Sequence, residues 1–172
     1  MLKAGGCIFI FLGSIGLAYS MQKERHEHLK LLYEIRSLLL KLSQNMHYRM
    51  LPMELLLKEA HLTEEKRLQK ICMEIGENLE KKENRRAITV WKECFYVSRK
   101  ELHLSTEETE LLAEAGEAFF GKNIAENERH LALYLERLEE RIKEERKKQG
   151  ERDKVIGTVT VMSGLFVILL LI

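Results

Sequence analysis

The sequence is poor in the residues that make turns and covalent bridges, and it has little net charge. One Pro and ten Gly among 172 residues are too few for a β-sandwich or barrel, whose many strands need frequent turns. The three Cys, at positions 7, 72 and 94, form no CxxC pair, which argues against a zinc site or a disulfide framework. Lys and Arg total 28 and Asp and Glu total 27, so the basic excess of a nucleic-acid-binding protein is missing.

Motifs that mark catalytic or cofactor-binding sites are missing as well. The chain has no Gly-rich phosphate loop, no GxSxG and no HExxH, and it lacks the Glu-x-x-His pairs of di-iron bundles. His26-Glu27-His28 resembles the start of a histidine-kinase phosphoacceptor box, but the Pro that follows in such boxes is absent. Solvent-exposed histidines are the simpler interpretation. We therefore expect no enzymatic activity, no cofactor, no metal site and no small-molecule substrate.

Two long uncharged runs are present instead, one near each end of the chain. They extend over residues 4–21 and 155–172, and each has 18 residues, which corresponds to about 27 Å of α-helix. A hydrocarbon core of about 30 Å is just within reach of such a helix. We predict a transmembrane helix over residues 1–21, and a hinge at Gly150 followed by a second one within residues 150–172. The alternative for the first run is a secretory signal peptide, because Ala18-Tyr19-Ser20 loosely fits a cleavage site.

The charges that flank the two runs predict a topology. The segment between the two runs is rich in Lys and Arg at both of its ends. On the outer side of the runs, toward the chain termini, Lys3 is the only charged residue. The inner flanks carry Lys23, Arg25 and Lys30 on one side and Lys143, Arg146, Lys147, Lys148, Arg152 and Lys154 on the other. Positive flanks stay on the cytoplasmic side of a membrane. We therefore expect residues 22–154 in the cytoplasm and contacts of the two runs with membrane lipid.

The segment between the runs is predicted to be all-α. Apolar residues recur at helical spacing, and the connections are short, which together favour a compact antiparallel bundle of about six helices over residues 22–149. Trp91, Cys72 and Cys94 fall on apolar stripes and are predicted to be core residues. The predicted stripes are Leu32, Ile35, Leu39, Leu42 and Met46; Leu55, Leu56 and Ala60; Leu68, Ile71, Cys72, Ile75 and Leu79; Ile88, Trp91, Phe95 and Leu102; Leu111, Leu112, Ala115 and Phe119; and Ile124, Leu131, Tyr134, Leu138 and Ile142.

Several residues predict where these helices begin and end. Pro52 suits the first turn of a short helix, and Thr63 and Asn123 are typical N-cap residues. Ser105-Thr106-Glu107-Glu108 matches a capping box, in which the Ser and Glu side chains each bond the other's backbone N–H. The fifth helix is expected to end at Gly121, a typical C′ glycine.

Taken together, the layout and several local segments resemble the stage III sporulation protein AB family of endospore-forming Firmicutes. The likeness extends over the whole chain, from a first apolar helix through about 130 helical residues to a terminal apolar helix. The segments that carry it are a Leu-rich helix from Leu38 to Met46, then Tyr48, then Leu51-Pro52-Met53-Glu54-Leu55; Leu112 to Gly116, Phe120-Gly121 and Asn123; and Gly164 to Leu170.

The resemblance implies a role that composition does not indicate. Members of this family belong to a complex that connects mother cell and forespore, and they resemble the cytoplasmic helical domains of inner-membrane platform proteins in type II secretion and type IV pili. The resemblance therefore implies a non-catalytic scaffold in the mother-cell membrane around the forespore, with the bundle facing the cytoplasm. It also implies other components of the complex as partners, among them a cytoplasmic ATPase. The alternative is a two-pass sensor or signalling module.

A docking scaffold needs a contact surface, and two places in the sequence are candidates. Arg85 and Arg86 open the fourth predicted helix, and Tyr48 and Arg49 end the first. Arg and aromatic side chains are frequent anchors of protein interfaces. The alternative is that the two Arg are solvated charges balanced by neighbouring Glu residues, and that Tyr48 is partly buried against Pro52.

Overall fold

The computed structural model describes residues 2–49, 51–59, 62–81, 86–121 and 123–171. Within this part the chain is helical, with no strand, which confirms the all-α prediction. The helices are α1 (Leu2–Arg49), α2 (Met53–Leu56), α3 (Lys66–Glu80), α4 (Ala87–Val97), α5 (Arg99–Leu102), α6 (Thr106–Ala115), α7 (Glu117–Phe120) and α8 (Ile124–Leu171). The side chains of residues 2–18, 21, 47, 49, 124, 125, 160, 161, 164, 165 and 167–171 lie outside the description.

The chain forms two compact units. One comprises residues 30–142 and contains the hydrophobic core. The other comprises residues 1–29 and 143–172, which are the outer parts of α1 and α8. No helix in the described part of the chain is both long and apolar enough to cross a membrane. Most side chains of the two predicted membrane runs are outside the described residues.

The core of the 30–142 unit is built from the predicted apolar stripes. The α1 stripe is the deepest, and six of its side chains are at most 2% exposed: Leu31, Leu32, Ile35, Leu38, Leu39 and Leu42. The other amphipathic helices also bury one face each, either against the α1 stripe or against one another; these are α3, α4, α6 and α8. The exception is the short α2, where Leu55, predicted to face the core, is 47% exposed while Leu56 and Leu57 are buried.

An aromatic cluster joins α4 to α6 and α7. The Trp91 indole is fully buried, and its Nε1–H donates to the Leu112 carbonyl at 2.9 Å. Its ring centroid lies 4.8 Å from that of Phe95, in an edge-to-face arrangement, and 5.8 Å from that of Phe119. Trp91 and Phe95 are therefore core residues, as predicted.

Two predicted helices are each divided. The fourth, expected over 85–102, becomes α4 and α5 with Ser98 between them, and the fifth becomes α6 and α7 with Gly116 between them. A Cβ on Gly116 would lie 2.8 Å from the Trp91 Cγ, so the chain passes the indole at a distance that only Gly permits. Gly116 therefore lets the chain between α6 and α7 pack closely against Trp91.

Helix-boundary predictions have mixed outcomes. The capping box is confirmed, because Ser105 Oγ accepts from the Glu108 N–H and the Glu108 carboxylate accepts from the Ser105 N–H. Helix α8 begins directly after Asn123, as predicted. The Thr63 N-cap is wrong, because α3 begins at Lys66 with Glu65 as N-cap. The Thr63 hydroxyl donates to Glu34 at 2.8 Å and accepts from the Glu65 N–H at 3.2 Å, so both of its bonds are made before the first residue of α3.

The two glycine predictions have different outcomes: the fifth predicted helix does end at Gly121, whereas the break expected at Gly150 is wrong. Gly121 has φ −70° and ψ 157°, so it is extended, and its carbonyl accepts from Asn127 Nδ2 at 3.0 Å. The left-handed residue among those described is His103, with φ 54°. No hinge occurs at Gly150, because α8 continues through it to Leu171. Lys, Glu, Gln and Arg surround Gly150, and these strong helix formers offset its cost of about 1 kcal/mol.

Candidate partner-binding surfaces

The predicted contact residues are only partly described by the structure. Arg85 lies outside the described residues, as does the side chain of Arg49, the last residue of α1. Tyr48 is 85% exposed, so it is not buried against Pro52. Arg86 is exposed and is the N-cap of α4, where its carbonyl accepts from the Thr89 N–H at 2.9 Å. An exposed aromatic side chain and an exposed guanidinium are therefore present, on two different helices.

The structure shows a second candidate surface where α4 meets α5, which we term the α4–α5 corner. It is an open depression lined by Tyr96, Val97, Arg99, Lys100, His103 and Leu104. Val97 is 81% exposed and Tyr96 49% exposed, although both are large hydrophobic residues. The corner thus combines apolar surface with cationic side chains, as the anchor regions of many protein interfaces do.

The shape of the corner is fixed by hydrogen bonds around the left-handed residue. The Leu104 N–H donates to the Arg99 carbonyl at 3.1 Å, and Arg99 Nε donates back to the Leu104 carbonyl at 3.3 Å. Helix α5 is held to α3 through Glu101, whose carboxylate lies 3.5 Å from Lys70 Nζ and whose carbonyl accepts from Arg67 at 3.2 Å. Because Glu101 is engaged on that side, Arg99 and Lys100 give the corner a positive charge.

The α4–α5 corner was not among the sequence predictions, but the sequence contains a signal for it. Tyr96 and Val97 are apolar and fall beside the stripe formed by Trp91 and Phe95, not on it. An unbroken helix over 85–102 would have left them as isolated surface residues. The break at Ser98 and the turn at His103 instead place them beside Arg99 and Lys100, and these are properties of the folded chain.

The surroundings of two cysteines and one glutamate shift the pKa values of these side chains. Burial raises the pKa of the Cys72 thiol to about 12 and also raises the pKa of Cys94. Both thiols are therefore protonated near neutral pH, and both lie on the core stripes as predicted. A side-chain hydrogen bond from Arg67 lowers the pKa of the Glu65 carboxyl. Among the side chains that the structure describes, no group of three or more His, Cys, Asp and Glu is arranged to hold a metal ion.

These features define an all-α helical-bundle protein with an aromatic core and with exposed aromatic and cationic side chains at the ends of its helices. The chain belongs to the stage III sporulation protein AB family, whose model matches residues 3–172. It is therefore a sporulation protein of stage III, and the resemblance recognised in the sequence is confirmed. Searches of curated proteins and of solved structures give no significant match.

Proposed function

We propose that this chain is a non-catalytic, membrane-anchored scaffold of the complex that connects mother cell and forespore. The observation that carries the proposal is the family match over residues 3–172. The structure supports a scaffold role because the described Cys and Trp side chains are buried in the core. Among its many exposed acidic residues, the 30–142 unit also exposes aromatic, aliphatic and cationic side chains of the kind that anchor protein interfaces.

The proposed anchors are the two uncharged runs, which lie in α1 and α8. The proposed location is the mother-cell membrane around the forespore, with the bundle on the cytoplasmic side. Support for this orientation comes from the Lys and Arg residues that follow the first run and precede the second.

A cysteine-labelling experiment tests this topology. The variant Lys81→Cys, in a Cys7→Ser background, places a thiol at an exposed position after α3. We expect an impermeant maleimide to leave it unlabelled in intact cells and to label it after lysis. The buried thiols of Cys72 and Cys94, with their raised pKa values, should stay unreactive in both samples. Labelling without lysis would place the bundle outside and would favour a cleaved signal peptide or another topology.

The proposed partner is a cytoplasmic ATPase, which docks on the surface that includes Tyr48, Arg49, Arg85 and Arg86. Tyr48 and Arg86 are exposed, and an interface of this kind has a polar rim around a few aromatic or Arg anchors. An acidic patch on the ATPase would be the complementary surface. The α4–α5 corner is a second candidate surface, where exposed apolar and cationic side chains lie together.

Charge reversal tests the docking surface. In the fragment 22–154, Arg85→Glu with Arg86→Glu should weaken binding to the ATPase by about tenfold or more, because anchoring cations become repulsive. The matched control is Arg129→Glu with Arg137→Glu, which makes the same charge change at two exposed positions of α8. Binding is measured by calorimetry, and circular dichroism checks that the helical content is unchanged.

Three outcomes of this experiment are distinguishable. Weaker binding in the Arg85 and Arg86 variant alone supports the proposed surface. Equal weakening in both variants indicates general electrostatic attraction. If neither variant binds more weakly, Val97→Glu with Lys100→Glu tests the α4–α5 corner, and a loss of binding there would move the contact to that surface.

The alternative is a two-pass sensor or signalling module. Under this alternative the two long helices would relay a signal from the far side of the membrane. The family match favours the scaffold, because the family is defined by sporulation. A kinase or receptor gene next to this one, in place of a sporulation operon with an ATPase gene, would favour the sensor.

A further inference from the structure

A small cavity lies in the unit formed by residues 1–29 and 143–172. Helix α8 contributes a stripe at positions i, i+3, i+4 and i+7, and α1 contributes three residues that face it. The cavity has a volume of about 30 Å³, which is enough for a water molecule, so a larger group such as a phosphate would bind at its mouth. It is lined by Arg25, His28, Leu29, Glu145, Lys148, Gln149 and Arg152.

Hydrogen bonds between α1 and α8 fix the walls of this cavity. Gln149 Nε2 lies 3.1 Å from His26 Nδ1, and Gln22 Nε2 donates to the Asp153 carboxylate at 2.9 Å. These two bonds flank Arg25 on one helix and Arg152 on the other. The guanidinium groups are therefore carried by backbone segments whose separation is set before any ligand arrives.

The cavity has an excess of positive charge. Arg25, Lys148 and Arg152 line it together with a single carboxylate, Glu145, which already accepts from Lys148 Nζ at 2.9 Å. Within the described residues, neither Arg25 nor Arg152 has a carboxylate partner. Guanidinium groups hold phosphate through paired, charge-assisted hydrogen bonds, so two Arg that face one cavity form a site for a phosphate group.

The position of the cavity along the chain indicates where that phosphate comes from. Arg25 comes four residues after the end of the first uncharged run, and Arg152 comes three residues before the start of the second. These separations correspond to about 6 Å and about 4.5 Å along a helix. The headgroup layer on each side of a bilayer is roughly 5–7 Å thick. If the two runs span the membrane, both Arg lie at headgroup depth.

We propose that Arg25, Lys148 and Arg152 bind the phosphate of an anionic phospholipid. The inference rests on the proposed membrane anchoring and extends it to a defined lipid site. The bound lipid would bridge α1 and α8 where they leave the membrane.

The experiment uses the full-length protein in a neutral detergent, with phosphatidylglycerol as the probe and native mass spectrometry as the readout. Arg25→Gln with Arg152→Gln should weaken retention of the lipid by about tenfold or more, because two charge-assisted contacts are lost. The matched control is Arg146→Gln with Lys147→Gln, which removes two charges from the same stretch of α8 but off the cavity stripe. The control should change retention by less than about twofold.

Each other outcome contradicts the inference in a specific way. Equal weakening in both variants would show that the lipid is attracted by diffuse charge alone. Equal retention of phosphatidylcholine would show that the negative headgroup is not recognised. Displacement of the lipid by millimolar inorganic phosphate, with phosphate retained in its place, would identify a free-phosphate site instead of a lipid site.

Two further measurements keep the test decisive. If the Gln variant fails to fold, Arg25→Lys with Arg152→Lys keeps both charges and removes only the forked hydrogen bonds, so weaker retention supports the site and unchanged retention contradicts it. Flotation of cell extracts tests the anchoring separately. A wild-type chain that does not float with membranes would overturn both the anchoring and the lipid site. If the wild-type chain does float, but the cavity variant and the control variant retain the lipid equally well, the lipid site alone would be overturned.

Discussion

Replacing Trp91 with Ala should lower the free energy of unfolding of the fragment 22–154 by about 3–5 kcal/mol. The indole is fully buried in the 30–142 unit, and its Nε1–H bonds the Leu112 carbonyl at 2.9 Å. Removing it leaves a cavity among Phe95, Phe119 and Phe120, whose ring centroids lie 4.8, 5.8 and 6.1 Å away. It also leaves a buried carbonyl without its donor, which adds to the cost.

The measurement is urea denaturation followed by circular dichroism. The same helix offers a matched control: Tyr96 is also aromatic, but it is 49% exposed, and Tyr96→Ala should cost less than about 1 kcal/mol. A loss below about 1 kcal/mol for Trp91→Ala would show that the indole is not buried in solution. Trp91 would then be a surface residue available to a partner.

The parts of the fold that could be predicted from the sequence depend on local patterns. The stripe of Leu32, Ile35, Leu39 and Leu42 is set by helical periodicity, and it forms the deepest part of the core. The capping box needs only the side chains and N–H groups of Ser105 and Glu108, which are three positions apart. Both of its hydrogen bonds are present in the structure. Interactions of this range are encoded in consecutive residues.

The wrong predictions involve residues whose roles depend on distant parts of the chain. The Thr63 hydroxyl donates to Glu34, which is 29 positions away, and α3 begins only at Lys66. Gly116, between α6 and α7, lies against Trp91, which is 25 positions earlier in the chain. A sequence pattern shows that a Gly is present but does not show which side chain will approach it.

The candidate surfaces also differ in whether they depend on local sequence or on distant parts of the chain. Exposure of Arg86 follows from its place before an apolar helix, and the sequence predicted it. The α4–α5 corner was missed because it depends on the left-handed conformation of His103, a residue type that adopts it only occasionally. The cavity between Arg25 and Arg152 was missed as well, since its two walls come from parts of the chain that are at least 116 positions apart.

Deleting the gene in its native spore former should abolish heat-resistant spores and arrest development after engulfment. The family match to stage III sporulation protein AB is the basis for this expectation. A scaffold acts by holding partners at one place, so its loss should not be compensated by the free components. Anchoring raises the local concentration of docked partners at the membrane, and a detached bundle loses that advantage.

Complementation of this deletion strain tests the central claim most directly, with the number of heat-resistant spores as the measurement. The account predicts that the full chain restores sporulation and that the fragment 22–154, expressed to the same level and equally helical, does not. Restoration of sporulation by the fragment would contradict a membrane-anchored scaffold, and normal spore numbers in the deletion strain itself would contradict any essential role in the complex.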